Sequence, residues 1–470
     1  MNGRAPCAAL DHLLVAVLVV VSLTSPLASL TYLLYAGYIV LVRGASRLLG
    51  MERLLAENCL GHFFAVLCLG LALSGLLLIL RPRPLSPTVR AWREVDLDAL
   101  RHNAAVLQAV LSPGQKLMAV VKADAYGHGA VQVSRTLQAL GADYLAVSSI
   151  DEATELRCNG INMPILILGH TPPAMVPQLI EYGITQAVSA LAKAEAYSAA
   201  AVESGGTLKV HIKVDTGMSR LGFLVREGHF DTGVESIAAA CALPGLEAEG
   251  IFTHFAVSDE DDRDSEAYTR AQFDVFTRVL DALAAGGRTF AIRHCANSGA
   301  LARYPEMYLD MVRPGIALYG VGADAQRLDL RPVMSLKSSV STIKTFDPGT
   351  DVSYGRTFRT QGRTRIGVLP IGYADGFFRG LSNRMSVVTA QGPAPQRGRI
   401  CMDMSMIDLT DLPDVKVGDE VEIFGRRQRV DDLAAILNTI PYELTCAVSK
   451  RVPRVYIEGG KIVERSLRLL

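Results

Sequence analysis

The stretch AVVKADAYGHG, residues 119–129, decides how the rest of this chain is read. Apolar residues 117–121 predict a buried parallel strand, and Lys122 stands where that strand ends. An amine at the dry end of a strand loses its proton readily and can attack a carbonyl carbon. Tyr126 and the turn Gly127-His128-Gly129 follow at what would be the mouth of a site. Taken alone, a lysine in this place also fits a simple strand cap, so the surrounding sequence has to decide.

Outward from this strand, short apolar runs alternate with helical patterns from residue 92 onward. Strands are predicted at 117–121, 144–148, 165–168, 185–188, 210–214, 248–253, 290–294 and 309–312. The fourth also fits the start of a helix over 184–190. The clearest helical pattern is 266–284, where Tyr268, Phe273, Phe276, Val279 and Leu280 share one face. Eight strand–helix units predict an α/β fold, a (β/α)8 barrel of the TIM type over 92–320. After Tyr319 the texture changes to short strands broken by Gly and Pro, at 335–343, 365–369, 385–390, 402–408 and 420–424. That texture predicts a separate C-terminal β domain over 321–470.

Composition bounds the rest. The 470 residues carry 47 basic and 47 acidic side chains, a balance that gives no reason to expect a nucleic-acid partner. Eight scattered cysteines show neither zinc-ligand nor CxxC spacing, so reduced thiols and no metal site are expected. Residues 1–84 differ from the remainder: 13–42 and 59–80 are uncharged apolar runs, each long enough to cross a hydrocarbon core of about 30 Å as a helix. Two such runs predict a transmembrane helical hairpin, with Pro26 kinking the first and no mid-span ionisable residue, hence an anchor. Arginines 4, 81, 83, 90 and 93 flank the pair, against 43, 47 and 53 in the loop between. This distribution favours cytoplasmic termini and a catalytic part on the cytoplasmic side of a bacterial membrane.

In a barrel of this kind the C-terminal strand ends form the active face. Lys122 ends the first strand, Lys213 and Arg220 follow the fifth, His254 the sixth, His294 the seventh and Arg313 the eighth. Five strand ends with polar, mostly basic groups make a poor core and a good anion site, suited to a phosphate and a carboxylate.

The segment VVKADAYGHG resembles the cofactor segment of alanine racemases, and the resemblance runs from about residue 92 to the C-terminus. It implies pyridoxal 5'-phosphate as cofactor, joined covalently to Lys122, with Tyr126 a phosphate ligand; Asp124 stands where the family usually has Asn. HIKVDTGMSRLGF matches the family segment whose arginine, here Arg220, holds the substrate carboxylate, and whose lysine, here Lys213, is often carbamylated. THFAVSDE supplies His254, HCANSGALAR supplies His294, Asn297 and the phosphate-binding Ser298, and VRPGIALYG supplies Arg313 against the pyridine nitrogen with Gly315 and Ile316 at the phosphate. In the second domain DVSYGRTF carries the family's catalytic tyrosine, here Tyr354. PIGYADGF gives Tyr373, and RICMDMSMID gives Cys401, Met402 and Asp403, which in the family border the partner subunit's pocket. In ELTCAVSKRVPR, Lys450 stands where the family commonly has tyrosine near phosphate and substrate.

What the resemblance implies is an isomerase that interconverts L- and D-alanine with two bases. Lys122 would serve one face of the α carbon and Tyr354, from the second subunit of a homodimer, the other, with Met402 and Arg220 bordering the substrate. Supply of D-alanine to peptidoglycan synthesis is the implied role. Lys450 keeps a serine or broad-specificity racemase open. Rival readings are a small pyridoxal phosphate carrier, which lacks a β domain; a barrel-type decarboxylase, which has an acid where Arg313 stands; and a non-catalytic membrane scaffold that binds the cofactor.

Overall fold

The computed structural model describes residues 90–466 apart from residues 227 and 323. The first strand, β1 (Ala91–Asp96), precedes the barrel. The barrel strands are β2 (Lys116–Val120), β3 (Tyr144–Val147), β4 (Ile165–Ile167), β5 (Ile184–Val188), β6 (Leu208–Asp215), a short β7 (Phe223–Leu224), β8 (Leu246–Phe252), β9 (Ile292–His294) and β10 (Met311–Val312). Eight of them pair in parallel in the order β10-β2-β3-β4-β5-β6-β8-β9, with β7 alongside β6. Between β9 and β10 two backbone bonds complete the ring, Asp310 N to Arg293 O at 3.0 Å and Arg313 N to Ala296 O at 2.8 Å.

Continuous burial along β3 and β4 explains their unbroken apolar sequences, since parallel strands are covered on both faces; β5 is equally buried although it carries Thr185 and Gln186. Parallel pairing with β4 and β6 makes β5 a strand, not the start of a helix. The helix Arg263–Ala285 is capped by Asp262, whose carboxylate accepts from Ser265 N, and buries Thr269, Gln272, Phe276, Val279 and Leu283 at alternating steps of three and four.

The β domain contains β11 (Met334–Ser339), β12 (Thr342–Phe346), β13 (Asp351–Val352), β14 (Phe358–Arg359), β15 (Thr364–Leu369), β16 (Ser386–Thr389), β17 (Gly392–Pro395), β18 (Ser405–Asp408), β19 (Glu420–Phe424), β20 (Arg454–Glu458) and β21 (Lys461–Ser466). One sheet runs β17-β16-β19-β11-β1-β20-β21 and another β12-β15-β18. β1 therefore lies between β11 and β20, in the sheet of the β domain, although a division at residue 92 assigns it to the barrel. The predicted strand 335–343 is two strands. Between them, Val340 N bonds to Asp419 O and Ser341 N to Val368 O, so the chain passes from one sheet to the other.

The expected transmembrane hairpin, with spans at 13–42 and 59–80, lies outside the described residues. Among the described residues no helix is long and apolar enough to cross a membrane. The five described cysteines are free thiols.

Candidate active site

At the C-terminal ends of the barrel strands lies a cavity of about 300 Å³. Lys122, Tyr126, Lys213, Arg220, His254, Asn297, Ser298, Arg313, Gly315 and Ile316 all line it, so ten of the residues singled out in the sequence converge on one space. Four of these are cations, and Asp259 is the one acid in the lining. Like charges in a dry wall repel, and the basicity of the amines records it. Burial, then the Arg220 guanidinium, lowers the pKa of Lys122. Burial and then Arg220, Arg313 and Lys122 bring Lys213 down to about 8. Such a wall is short of negative charge and is built to receive anions.

Lys122 is followed by an unusual backbone. Ala123, Asp124, Ala125 and Tyr126 all have φ between 52° and 55°, a left-handed turn without a glycine. Each such residue costs roughly 1–2 kcal/mol, so the surroundings must hold the turn. Ala123 N donates to Glu152 Oε1 at 2.7 Å, and Ala130 N to Asp124 Oδ1 at 2.9 Å. Arg454 pairs with Asp124 and donates to Gly127 O, which also receives Arg93. Asp124 in place of Asn thus finds a cationic partner in this chain. Buried His128 stacks on Tyr319 at 4.3 Å and donates from Nδ1 to Ala125 O at 2.9 Å; its Nε2 has no partner among the described residues.

The turn delivers Tyr126 to one end of the cavity, its ring packed against Tyr319 and Tyr442. Its hydroxyl lies so close to Gly315 that a Cβ there would approach it to 2.5 Å. Ser298 Oγ accepts from Gly315 N at 2.9 Å and from Ala317 N at 3.4 Å. Asn297 Oδ1 accepts from Ser258 Oγ and from Ala300 N, which fixes its carboxamide. Hydroxyls, an amide and glycine-lined backbone gathered at one end suit a phosphate, and the amine of Lys122 suits an aldehyde nearby. The residues present therefore fit pyridoxal phosphate.

Arg313, 4% exposed, is held by Thr253 O at 2.8 Å, Cys295 O at 3.0 Å and His294 Nδ1 at 3.0 Å, with His254 Nδ1 at 3.4 Å. Burial depresses this guanidinium to about 10. Burial and then the Arg313 charge hold His254 well below its ordinary value, so it is neutral, and its Nδ1 faces a donor. His294 is completely buried and supports Arg313 without lining the cavity.

Three expected residues lie elsewhere on the chain. Tyr354 is 71% exposed, Met402 is 53% exposed and Lys450 is exposed; none lines the cavity. Lys450 does not reach the cofactor end of its own barrel, where Tyr442 from the helix Pro441–Ala447 lines the wall instead. The reason is local. Val448 O and Ser449 O are held by Arg93, and Arg451 is paired with Asp375 and Asp403, so this segment is pinned to the β domain. Tyr354, Cys401 and Met402 come together through Ser353, which donates to Arg399 O and touches Cys401 Sγ, while Tyr373 N donates to Cys401 O. With Tyr373 and Met404 they form an exposed apolar face. Sequence reading missed Ser148, Leu168, Gly169, Leu221, Phe252, Asp259 and Tyr442 in the wall. Ser148, Leu168, Gly169 and Phe252 stand at or beside strand ends, and Leu221 and Asp259 fall within the segments HIKVDTGMSRLGF and THFAVSDE, whereas Tyr442 carries no local signal.

Comparison with known proteins gives consistent matches. The family description "Alanine racemase, N-terminal domain" matches residues 95–323, and "Alanine racemase, C-terminal domain" matches residues 333–456. An alanine racemase of Desulfosudis oleivorans is 46% identical over 387 residues, covering 80% of this chain and 98% of that protein. One from Desulfovibrio desulfuricans is 47% identical over 375 residues, covering 78% and 98%. Among solved structures, alanine racemase of Clostridium difficile superposes with a TM-score of 0.76 at 41% identity, covering 82% of this chain and all of that one. Alanine racemase of Bacillus anthracis with bound L-Ala-P gives 0.73 at 34% identity, covering 81% and 98%. These relatives are matched almost end to end by about four-fifths of the chain. The expectation of a multi-pass membrane protein is corrected to what is found: no helix among the described residues is long and apolar enough to cross a membrane, the two expected spans lie outside the described residues, and a multi-pass membrane protein is not supported.

Proposed function

The chain belongs to the alanine racemase family, and from that membership we propose that it interconverts L- and D-alanine with pyridoxal 5'-phosphate, using Lys122 and Tyr354 as opposed bases. The observation that carries the reading is the cavity in which a lysine of lowered basicity shares a wall with three further cations and with the hydroxyls of Tyr126 and Ser298 gathered at Gly315. When bound, the cofactor supplies an aldehyde and an electron-withdrawing ring that acidify the α hydrogen of an amino acid joined to it. Tyr126, Ser298, Asn297 and the backbone of Gly315 and Ile316 would hold the phosphate, and Arg313 would meet the ring nitrogen. Because a guanidinium only donates, Arg313 would leave that nitrogen unprotonated, which would restrain electron flow into the ring and disfavour side reactions.

The remaining work belongs to proton carriers on two faces. Lys122 Nζ, already easier to deprotonate than a free lysine, moves the proton on one face. Tyr354 Oη is the base for the other, and it reaches the site from the partner subunit of a homodimer. Its exposure, together with that of Tyr373, Met402 and Met404, supports this division of labour. Met402 and Asp403 would then border the partner's substrate. Arg220 at the mouth would hold the carboxylate, and an amine brought down to about 8 supports carbamylation of Lys213, which would give Arg220 a negative neighbour. Alanine as the preferred substrate and a role in supplying D-alanine for peptidoglycan complete the reading.

The test is D-amino-acid formation from L-alanine and, in parallel, from L-serine, by the full chain loaded with pyridoxal phosphate. D-Alanine formed with the higher kcat/KM is expected. No racemisation of either substrate by cofactor-replete protein would overturn the function, and a preference for serine would overturn the substrate.

A further inference from the structure

The support beneath Arg313 does not end at His294. His294 Nε2 lies 2.8 Å from His211 Nδ1, and His211 Nε2 lies 3.3 Å from Glu249 Oε2. Both imidazoles are completely buried, and Glu249 is largely so. Glu249 also receives the Tyr144 hydroxyl at 2.5 Å and Lys209 Nζ at 3.1 Å. Tyr144 opens β3 and Lys209 stands second in β6, so this cluster sits at the N-terminal side of the barrel, away from the cavity.

Donor and acceptor chemistry gives the chain one direction. A guanidinium can only donate, so His294 Nδ1 accepts from Arg313 and the ring proton is on Nε2. That Nε2–H donates to His211 Nδ1, which places the second ring proton on Nε2, and it in turn donates to an oxygen that only accepts. Both tautomers are thus dictated by the two ends, and aligned bonds of this kind polarise one another. Among the described residues no carboxylate pairs with the buried Arg313 directly; its partners there are carbonyls and neutral imidazoles.

The backbone is shaped for this arrangement. The register of β6 against β8 shifts between Val210 and His211, so Val210 pairs with Ala248 and His211 with Gly250, leaving Glu249 as the extra residue of a bulge. Bulges re-aim side chains. A Cβ on Gly250 would fall 2.7–2.8 Å from three atoms of the His211 ring, so glycine there is the notch that admits the imidazole. Phe252 stacks on His294 at 4.8 Å and keeps that ring in plane.

We propose that Glu249 and His211 are positioning residues of the racemisation site: the carboxylate on the far side of the barrel, acting through two imidazoles of fixed tautomer, supplies the compensating charge and orientation of Arg313. The inference rests on the reading of Arg313 as the group that meets the cofactor ring. No proton moves along the chain; it holds a cation in place. The bond from His211 keeps the Glu249 carboxyl down to about 2, consistent with a permanent anion at this end.

The test uses the full chain loaded with pyridoxal phosphate, histidine-labelled with 15N. In the wild type both His211 and His294 are expected as the Nε2–H tautomer. Glu249→Gln removes the charge while Arg313 can still only donate, so the tautomers are expected to hold and the His211 Nε2 signal to move as its bond changes from charged to neutral acceptor. With that shift should come a displaced absorption band of the bound cofactor and a kcat lowered about tenfold with KM within about twofold, the usual scale for a group supporting a functional ligand. Gly250→Ala, which keeps the carboxylate but displaces the ring, should give the same spectral change. An unmoved band and kcat in Glu249→Gln would overturn the proposal, and so would either ring of the wild type found as the Nδ1–H tautomer. Failure of the underlying reading is a different observation: Arg313→Met with the cofactor's absorption unaltered.

Discussion

Replacing Gly315 with alanine isolates the fit at the phosphate end of the cavity. A methyl there would sit 2.5 Å from Tyr126 Oη and 3.3 Å from its Cζ. Comfortable contact begins near 3.5 Å, so the hydroxyl has to retreat by about 1 Å. It has little room to do so. The ring is packed against Tyr319 at 5.1 Å and Tyr442 at 5.8 Å, and its backbone is held at φ 54°. Gly315 itself has φ −109° and ψ −93°, outside the regions broadly open to an L residue, so alanine adds a backbone cost to the steric one. Overpacking of this kind costs about 1–3 kcal/mol, which corresponds to a loss of roughly 5- to 150-fold in cofactor affinity if the displaced hydroxyl is a phosphate ligand. Titration of cofactor-free protein with pyridoxal phosphate measures the loss, and a thermal melt reports the strain. The double variant Tyr126→Phe/Gly315→Ala should regain the steric part of the lost melting temperature but not the backbone part, since Cζ becomes the nearest atom, without regaining cofactor affinity. An affinity within twofold of wild type in Gly315→Ala would refute the assignment of Tyr126 to the phosphate.

Two other expectations address different parts of the molecule. Lys122→Ala and Tyr354→Phe should each be nearly inactive, yet subunits of the two mixed at random should recover about a quarter of wild-type activity, because half the dimers are mixed and one of their two sites is intact. No recovery in verified mixed dimers would place both bases in one chain. Buried His128 stays neutral in the folded protein down to about 3, with burial the main cause. The unfolded chain takes up that proton near 6.5, so stability is full above pH 6.5 and falls as pH drops from 6.5 towards 3, by up to about 1.4 kcal/mol per pH unit. In urea unfolding followed across this window, His128→Asn should show a slope smaller by one proton, and an identical slope would show that His128 is charged in the fold.

Much of the barrel and of its site is legible from local pattern. Apolar runs such as TyrLeuAlaVal at 144–147 and IleLeuIle at 165–167 announce parallel strands because both faces are buried. A polar residue at the end of such a run has one place to go, the active rim, which is why Lys122, Lys213, His254 and Arg313 could be chosen before any coordinates. Covalent chemistry at Lys122 is not legible from its strand-end place, which also fits a simple cap; that expectation comes from the resemblance of the segment around it.

Other features were decided only by contacts between distant segments. β1 belongs to the β domain's sheet through partners at least 239 residues away, and no periodicity within six residues encodes that choice. Four consecutive left-handed residues contain no glycine, so the turn after Lys122 is imposed by Glu152, Arg93 and Arg454. Whether Tyr354, Met402 and Lys450 face their own cavity or the outside depends on how the β domain folds upon itself, and only the folded sheets put them on an exposed face. The line from Glu249 to Arg313 needs a bulge, a glycine notch and two rings from separate strands. Side-chain chemistry and strand period act over a few residues and can be read along the chain; register, bulges and shared faces come from pairing between strands, and only the assembled sheet fixes them.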